Sequence, residues 1–296
     1  MDKEQLLLID GHNLMFRAFY GIRDLSRSDG FPTNAIYGWV RAIGRLRAQI
    51  IPQKTFVFFD FGESRMRREI FPNYKAQRKP MPDELRQQIS PIQEITSLMG
   101  IGIAMREGDE ADDLLASFAV QQSKDQCTVA IASSDKDFGQ IIGDSICQLY
   151  PPGAASGQYH WKLMDAAAIE SKFGVPPSMI VDYLSLVGDA ADNIRGIPGV
   201  GPKTAARWLR EYLSIDNLLS CSQLPADMQN KLANHGDLLR LNQRLIALDL
   251  SLDSTAPSLE IFQPHLVRKF FEKFEMLSLI RECVPVGKNG ELFANF

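Results

Sequence analysis

The chain has 296 residues, of which 45% are hydrophobic and 23% are charged, and its formal net charge is −4. These values are typical of a globular protein with one large or two smaller domains. Its apolar runs fall short of the roughly 18–20 residues of a membrane span, and the stretch near the N-terminus is too short for a signal peptide. Four widely spaced cysteines without a CxxC pair indicate neither a disulfide framework nor a zinc site. A cytoplasmic protein with reduced thiols is therefore expected.

Three short runs rich in β-branched and aromatic residues are predicted strands, at residues 6–9, 55–59 and 128–132. Between the first two, residues 33–50 carry apolar side chains at three- and four-residue steps, which predicts an amphipathic helix. Strands that alternate with helices in this way form βαβ units. The sequence therefore predicts an α/β fold with a mostly parallel central sheet flanked by helices.

Acidic residues follow each predicted strand. Asp10 and Asp60 come directly after the first and second strands, and Asp135 and Asp137 follow the third. A single aspartate in such a place is usually a turn residue. In open parallel sheets, however, the carboxyl ends of the strands share one crevice. We therefore expect these acids to converge.

The segment GDEADD at residues 108–113 places four carboxylates in five positions just before an apolar run. Acids are favoured in the first turn of a helix by about 0.3–1 kcal/mol each, and Asp109 is the expected N-cap. Two carboxylates about 4 Å apart repel by about 4 kcal/mol at an effective dielectric near 20. A bound cation would reverse that repulsion, so the cluster of Glu110, Asp112 and Asp113 suggests a metal site.

A second, helical region is predicted from residue 176, after a loop marked by Pro151 and Pro152. Within it, IPGVGPKTA at residues 197–205 has the form of a helix-hairpin-helix turn, in a motif spanning 185–210. Its glycines permit a tight turn whose backbone N–H groups can face a phosphate. Such contacts position a duplex without reading its bases. The residues expected to contact DNA here are Gly199, Gly201, Lys203 and Thr204.

A basic segment begins immediately after Asp60. Between Gly62 and Arg86 there are seven basic residues against four acids, with Phe71 and Tyr74 among them. This composition suits a surface that follows phosphates and stacks on unpaired bases, with Tyr74 as a candidate. A solvated helix face is the alternative. The position next to the crevice favours nucleic acid.

Nine acids are candidate metal ligands: Asp10, Asp60, Glu110, Asp112, Asp113, Asp135, Asp137, Asp189 and Asp192. Since the whole chain carries −4, these nine leave +5 on the remainder, which is compatible with DNA binding. Oxygen ligands without His or Cys point to Mg²⁺ or Mn²⁺. So many carboxylates suggest two ions acting on a phosphodiester.

Five motifs, in this order along the chain, resemble those of the bacterial and phage 5′-nucleases over roughly residues 4–285. The motifs are LLLIDGHNLMFRAFY, FFDFGESRMRREIFPNYKAQRKPMPDEL, GDEADD, SSDKD and GDAADNIRGIPGVGPKTA. That family comprises flap endonucleases and the 5′→3′ exonuclease domain of DNA polymerase I. The resemblance implies a PIN-like 5′-nuclease fold with a helical arch insertion at 62–90 in a nuclease domain at 1–175, and an all-helical DNA-binding region at 176–296.

The resemblance also implies roles for residues. One metal is expected at Asp10, Asp60, Glu110 and Asp112, and the other at Asp135, Asp137, Asp189 and Asp192, with Asp113 near both. Lys75 and Arg78 match residues that engage the scissile phosphate, with Arg67 nearby, and Arg17 and Tyr20 match substrate contacts. The hairpin around Ile194, Ile197 and Val200 resembles one that binds duplex through K⁺. Four positions depart from the family pattern without removing a proposed ligand: Met66, Ser134, Ala191 and Arg195.

The implied activity is two-metal, structure-specific cleavage of DNA with a 5′ flap, nick or 5′ end, leaving a 5′-phosphate, in replication and repair. A catalytically silent junction-binding protein would have little reason to keep every acid. A PIN-like ribonuclease lacks the hairpin and the basic insertion, and a haloacid-dehalogenase phosphatase needs an Asp where His12 stands. No GxxxxGK[ST] supports ATP hydrolysis. A monomer is expected, and a free-standing enzyme and a polymerase I domain would both show this pattern.

Overall fold

The computed structural model describes residues 3–62, 64–125, 127–153, 160–253 and 255–283. Its central sheet consists of β1 (Gln5–Asp10), β2 (Lys54–Phe58), β3 (Gly102–Ala104), β4 (Thr128–Ala132), β5 (Ile146–Tyr150) and β6 (Lys162–Met164). The order is β3-β2-β1-β4-β5-β6. Every neighbouring pair is parallel except β5 with β6. The predicted parallel sheet is therefore confirmed.

The first helices along the chain are α1 (Gly11–Gly21), α2 (Asn34–Ile50), α3 (Arg65–Ile70), α4 (Asp83–Arg86), α5 (Ile89–Leu98), α6 (Ala111–Lys124) and α7 (Ala166–Phe173). The later ones are α8 (Ile180–Val187), α9 (Pro202–Tyr212), α10 (Ile215–Ser220), α11 (Ala226–Leu232), α12 (Gly236–Ile246), α13 (Pro264–Lys273) and α14 (Leu277–Cys283). Across the described ranges, none is both long and apolar enough to cross a membrane.

Both faces of the sheet are buried, which explains the unbroken apolar runs in its strands. Leu6 and Leu8 of β1 belong to a core shared with α6, α8, α9 and α12. Leu7 and Ile9 face the opposite core, which includes residues of α1, α2, α5, α13 and α14. The chain therefore returns at its described end to the face where it began. Val175 shares the core of Leu6, so packing continues across the predicted domain boundary.

The direction in which successive strands are added to the sheet reverses at β1. From β1 the order proceeds through β2 to β3 on one side, and β4 and β5 then add on the other side. In open α/β sheets, the crevice beyond the carboxyl ends of the strands at such a switch point is the usual ligand site. Asp10 ends β1 and Asp135 follows β4, so both acids lie at this point.

A two-stranded ladder interrupts the helical region, between β7 (Gly188–Asp189) and β8 (Ile194–Arg195). Gly188 has φ +86°, and a Cβ there would lie 2.4 Å from the Gly196 nitrogen. Only glycine fits so close an approach of two backbones. The ladder brings Asp189 near Asp192, on the turn between the two strands.

The start of α2 is capped by a side chain distant in sequence. Gln88 is fully buried, and its Oε1 accepts hydrogen bonds from the Ala35 and Ile36 nitrogens at 2.9 and 3.1 Å. Its Nε2 donates to Asn34 Oδ1 and to the Glu84 carbonyl, both at 2.9 Å. Gln88 thus satisfies N–H groups that every helix leaves unpaired at its first turn.

Replacing Gln88 by leucine should lower the free energy of unfolding by roughly 2–4 kcal/mol, because two buried N–H groups would lose their acceptor. Denaturant unfolding measures this change. Gln87, which is exposed one position earlier, provides the matched control, and its replacement by leucine should change stability by less than about 0.5 kcal/mol. Equal stabilities of the two variants would show that the cap is unimportant.

Candidate active site

A cavity of about 640 Å³ opens at the carboxyl ends of β1, β2 and β4. Four of the predicted carboxylates line it, namely Asp10, Asp60, Asp112 and Asp135. They come from three strand ends and the first turn of α6. The structure therefore brings together acids that are up to 125 positions apart in the sequence.

Hydrogen bonds fix two of these carboxylates. Asp10 Oδ1 accepts from the Asn13 nitrogen at 3.0 Å and so caps α1, while Oδ2 accepts from Ser133 Oγ at 2.8 Å. Ser133 Oγ also accepts from the Asp135 nitrogen at 3.0 Å. The fully buried Ser133 thus links the two acids across the switch point. Ser133 was not among the predicted site residues, although it lies two residues before a predicted ligand.

The GDEADD helix begins differently from the prediction. Its N-cap is Glu110, and the predicted N-cap, Asp109, instead forms an ion pair with Arg106. The first N–H of the helix, at Ala111, donates to Asp60 Oδ1 at 2.8 Å. The capping acceptor is therefore the side chain of Asp60, a residue distant in sequence that follows β2. This hydrogen bond connects Asp60 to the acidic cluster.

Burial and mutual repulsion dominate the electrostatics of the cavity. Burial, with repulsion from Asp135 and Asp60, raises the pKa of Asp10 to about 7, despite its hydrogen bonds from Asn13 and Ser133. Burial also raises the pKa of Asp112, and the charges of Asp10, Asp135 and Asp60 raise it further. The protein alone compensates these carboxylates poorly, as expected for ligands of a cation.

A second cluster adjoins the first. Asp137, Asp189 and Asp192 each place a carboxylate oxygen within 4.8 Å of the other two. Burial, followed by repulsion from Asp135, raises the pKa of Asp137. Among the described groups, Asp137 Oδ1 is a buried oxygen with no hydrogen-bond partner. A hard divalent cation would satisfy this oxygen, so the residues present fit a metal ion.

Basic side chains neutralise part of both clusters. Lys75 forms an ion pair with Glu110, and Arg78 Nη2 lies 2.7 Å from Asp192 Oδ1. Burial alone would raise the pKa of Asp192, but Lys75 and Arg78 lower it overall. Lys136, which was not among the predicted site residues, donates to Asp189 Oδ2 at 2.6 Å. Lys75 and Arg78 also line the cavity.

Arg67 and Asp113 have a position that the sequence did not predict. Arg67 is only 2% exposed, and its guanidinium donates to both oxygens of Asp113, to Glu110 and to the carbonyls of Leu245 and Ala247. Each of its nitrogens is thus occupied. Arg67, expected near the scissile phosphate, and Asp113, expected near both metals, are thus bound to each other and to the backbone. The pair joins α6 to the last turn of α12 and to the residues that follow it.

Two predicted aromatic contacts differ in exposure. Tyr74 is 3% exposed, and its hydroxyl donates to Asp192 Oδ2 at 2.9 Å, so the expected stacking on bases is not available to it. Tyr20 is 63% exposed and lines the cavity beside Arg17. Tyr20 is therefore an aromatic side chain that a substrate can reach.

The predicted hairpin lies between β8 and α9. Gly199 adopts φ +75°, Gly201 is the N-cap of α9, and Lys203 and Thr204 lie in its first turn, with Lys203 exposed. Three residues were predicted to form the K⁺ site, and the side chains of all three are buried: Ile194, Ile197 and Val200. The Val200 nitrogen donates to the Ile197 carbonyl at 3.0 Å, which closes the turn.

Adjoining carboxylate clusters with basic neighbours, at the carboxyl edge of a parallel sheet, define a class of α/β proteins equipped to bind divalent cations and phosphate esters. Comparison with known families specifies the class. The model of the 5′-3′ exonuclease N-terminal resolvase-like domain matches residues 5–174, and that of the 5′-3′ exonuclease C-terminal SAM fold matches residues 175–265. The chain belongs to the 5′-3′ exonuclease family, which confirms the resemblance seen in its motifs and its nuclease class.

Individual relatives agree with this assignment. The chain is 37% identical to a 5′-3′ exonuclease of Aquifex aeolicus over 289 residues, which cover 96% of this chain and 97% of that protein. It is 33% identical to the thermostable DNA polymerase I of Thermus aquaticus over 283 residues, 95% of this chain but only 33% of the polymerase. The chain thus spans about a third of the polymerase's length.

Solved structures share the fold. The T5 5′-exonuclease with bound zinc superimposes with a TM-score of 0.69 at 20% identity, covering 93% of this chain and all of that one. The catalytic core of Rad2 in complex with a DNA substrate gives a TM-score of 0.63 at 16% identity, covering 95% of this chain and 92% of that one. At these identities the likeness concerns the fold alone.

Metal-free protein should lose stability as the pH rises from about 5 to about 8. The folded-state pKa values of Asp10, Asp112 and Asp137 lie above the roughly 4 of an unfolded carboxyl. Their stabilising contribution is complete below pH 4 and is lost as the pH rises through the folded values, which is about 7 for Asp10. Each unit by which a carboxyl's pKa differs between the folded and unfolded states changes the free energy of unfolding by about 1.4 kcal/mol.

The variant Asp112→Asn removes one of the repelling charges, so without metal it should melt above wild type at pH 8 and lose less stability over this range. Asp109→Asn, outside the cavity, is the control and should keep the wild-type slope. Thermal melting in a chelator at several pH values measures both. Parallel curves for wild type and Asp112→Asn would contradict the proposed repulsion.

Proposed function

We propose that the protein is a structure-specific 5′-nuclease that hydrolyses DNA at single-strand/duplex junctions with two divalent cations and leaves a 5′-phosphate. The observation that carries this proposal is the pair of adjoining carboxylate clusters at the sheet edge, one of which contains a buried, unpartnered oxygen. A neighbour of the same fold, the T5 flap endonuclease, has been solved as a pseudo-enzyme-product complex with DNA and metal ions.

The carboxylates divide between the two ions. Asp10, Asp60, Glu110 and Asp112 would hold the first, and Asp135, Asp137, Asp189 and Asp192 the second. Mg²⁺ or Mn²⁺ suits an all-oxygen site. Bound there, the two ions supply activation of a water and stabilisation of the leaving oxygen. Ser133 and the Asp60 cap keep the first set in place before any ion binds.

Lys75 and Arg78 would engage the scissile phosphate. Both side chains line the same cavity as the carboxylates, and each is placed by an ion pair to a proposed ligand, Glu110 or Asp192. A cation at this point offsets the charge that develops on the phosphate. We assign Arg67 and Asp113 to positioning of α6, because their polar atoms bind each other and the backbone.

The exposed Tyr20 and its neighbour Arg17 would contact the substrate at the mouth of the cavity. The hairpin at Gly199 would hold the duplex through Gly201, Lys203 and Thr204, with K⁺ bound by the carbonyls of Ile194, Ile197 and Val200. Gly199 supports this role, since its positive φ allows a close backbone approach to phosphate.

A replication or repair role, a cytoplasmic location and a monomeric state remain predictions. Contact with a sliding clamp or a DNA polymerase is a further, weakly supported prediction from the sequence, because residues 290–296 resemble short clamp-binding peptides only faintly. Those residues lie outside the part of the chain that the structure describes.

The test of the activity is cleavage of labelled 5′-flap, nicked and single-stranded DNA. Flap DNA should be cut with Mg²⁺ or Mn²⁺ but not with Ca²⁺, whose oxygen coordination is looser. Asp112→Asn should slow cleavage by at least about 100-fold while flap binding in metal-free buffer stays equal or improves, because a charge that repels phosphate is lost. Asp109→Asn should cut at nearly the wild-type rate. Full activity of wild type in excess EDTA would refute the metal hypothesis.

Lys75→Ala and Arg78→Ala should each slow single-turnover cleavage roughly 100-fold and weaken duplex binding far less. Lys79→Ala is the matched control, because Lys79 is exposed next to Arg78 but does not line the cavity. Rapid-quench rates at saturating DNA and binding by anisotropy separate the two effects. If both cavity variants cut at the wild-type rate, the basic segment is a solvated surface that does not contact the scissile phosphate.

A further inference from the structure

A second basic groove lies between α7 and α9, outside the carboxylate clusters. It encloses about 670 Å³, and four cationic side chains line it: Lys172, Lys203, Arg207 and Arg210. The last three are exposed and recur at steps of four and three along α9, so they form one stripe on that helix. Gly174, which ends α7, packs against α9, where a Cβ would lie 3.1 Å from Ala206 Cβ.

These cations are not compensated by the protein. Within the described part of the chain, Lys172, Lys203, Arg207 and Arg210 have no carboxylate oxygen within 4.0 Å. By contrast, Lys75, Arg78 and Lys136 are each paired with an acid of the metal clusters. Three unpaired cations on one helix face, opposed by a fourth, create a site for a polyanion.

Lys172 connects the groove to the active-site cavity. Its Nζ lies 4.4 Å from the centre of the Tyr150 ring, and Tyr150 also lines the cavity. It lies 5.0 Å from the ring of Phe173, so two aromatic faces hold the ammonium group. Burial lowers the pKa of Lys172, and the charges of Lys162 and Lys136 lower it further. Lys172 thus places one positive charge between the groove and the cavity.

The groove is also continuous with the hairpin, since Lys203 and Thr204 belong to both. The groove therefore adjoins the hairpin through Lys203 and Thr204, and it adjoins Tyr150 of the cavity through Lys172. Four cations distributed over two elements can contact more than one phosphate of a backbone. Phosphate contacts of this kind set the register of a duplex.

We propose that the groove between α7 and α9 binds the sugar-phosphate backbone of the substrate's duplex arm, with Lys172 and Arg207 as phosphate contacts between the hairpin and the active site. This inference rests on the proposed function. It assigns to α7 a part in DNA binding that the motifs of the sequence did not indicate. The groove sets how far along the duplex the enzyme makes contact, and it takes no part in the chemical step.

The test is the salt dependence of binding to 5′-flap DNA in EDTA, measured by anisotropy during a NaCl titration at constant K⁺. Each lost phosphate contact should reduce the slope of log affinity against log salt by about 0.9. Lys172→Gln and Arg207→Gln should each show this reduction, and the double variant about twice as much. Their single-turnover rates at saturating DNA should stay within about twofold of wild type, because neither residue touches the reacting atoms.

Lys124→Gln provides the control, because Lys124 is exposed at the last turn of α6, at the opposite edge of the sheet. Its slope should equal that of wild type, and all variants should melt at the wild-type temperature. A neutral methylphosphonate placed along the duplex should weaken wild type at one linkage where it no longer affects Lys172→Gln.

If both groove variants show the wild-type slope of log affinity against log salt, with normal flap binding and cleavage, the assignment of duplex binding to the groove is wrong. The proposed function would be unaffected by that result. An equal loss of slope on single-stranded DNA would also overturn the groove assignment, since the contact would then not be to duplex. If wild type itself neither prefers nor cuts flap DNA, the proposed function fails and the groove assignment fails with it.

Discussion

Repulsion among clustered carboxylates is the constraint on which the rest of the structure depends. Asp10, Asp60, Asp112 and Asp135 share one cavity, and the burial of Asp10 and partial burial of Asp112 strengthen the repulsion. A chain that relaxed freely would move them apart. Rigid strand ends, the Ser133 bridge and the Asp60 cap of α6 prevent that movement. Stability is thus given up locally so that the ligands are in place in advance.

The second cluster extends this constraint to the helical region. Asp137 follows β4, whereas Asp189 and Asp192 come from the β7–β8 ladder and its turn. Two residues with left-handed backbone lie at this contact, Lys75 with φ +55° and Asn193 with φ +63°. The Lys75 nitrogen donates to the Asp192 carbonyl at 3.2 Å, and Asn193 Nδ2 donates to the Asn73 carbonyl at 2.8 Å. Neither part of the chain can form this cluster alone, and the strained backbone persists because both parts hold it.

The sequence predicted what depends on periodicity and on short motifs. Continuous apolar runs identified the parallel strands, and the acid after each strand located the crevice, because parallel topology places strand ends together. Contacts between distant side chains left no such pattern. Asp60, and not Asp109, caps α6, and Gln88 caps α2 from more than fifty positions away. Tyr74 and Arg67 looked like surface groups in a charged run, yet a buried acid partner draws each one inward.

The burial of Gln88 has a consequence for the basic segment that precedes it. This segment is anchored at its start by Asp60, which binds α6, and at its end by Gln88, which binds α2. Between two such anchors the chain forms a closed loop, and doubling the length of a loop costs only about 0.6 kcal/mol in closure entropy. Insertions between Lys79 and Asp83, beyond the last cavity contact at Arg78, would leave both anchors undisturbed. The fold therefore permits this segment to differ in length among relatives, so that the width of the opening over one fixed set of carboxylates can change without a change in the core.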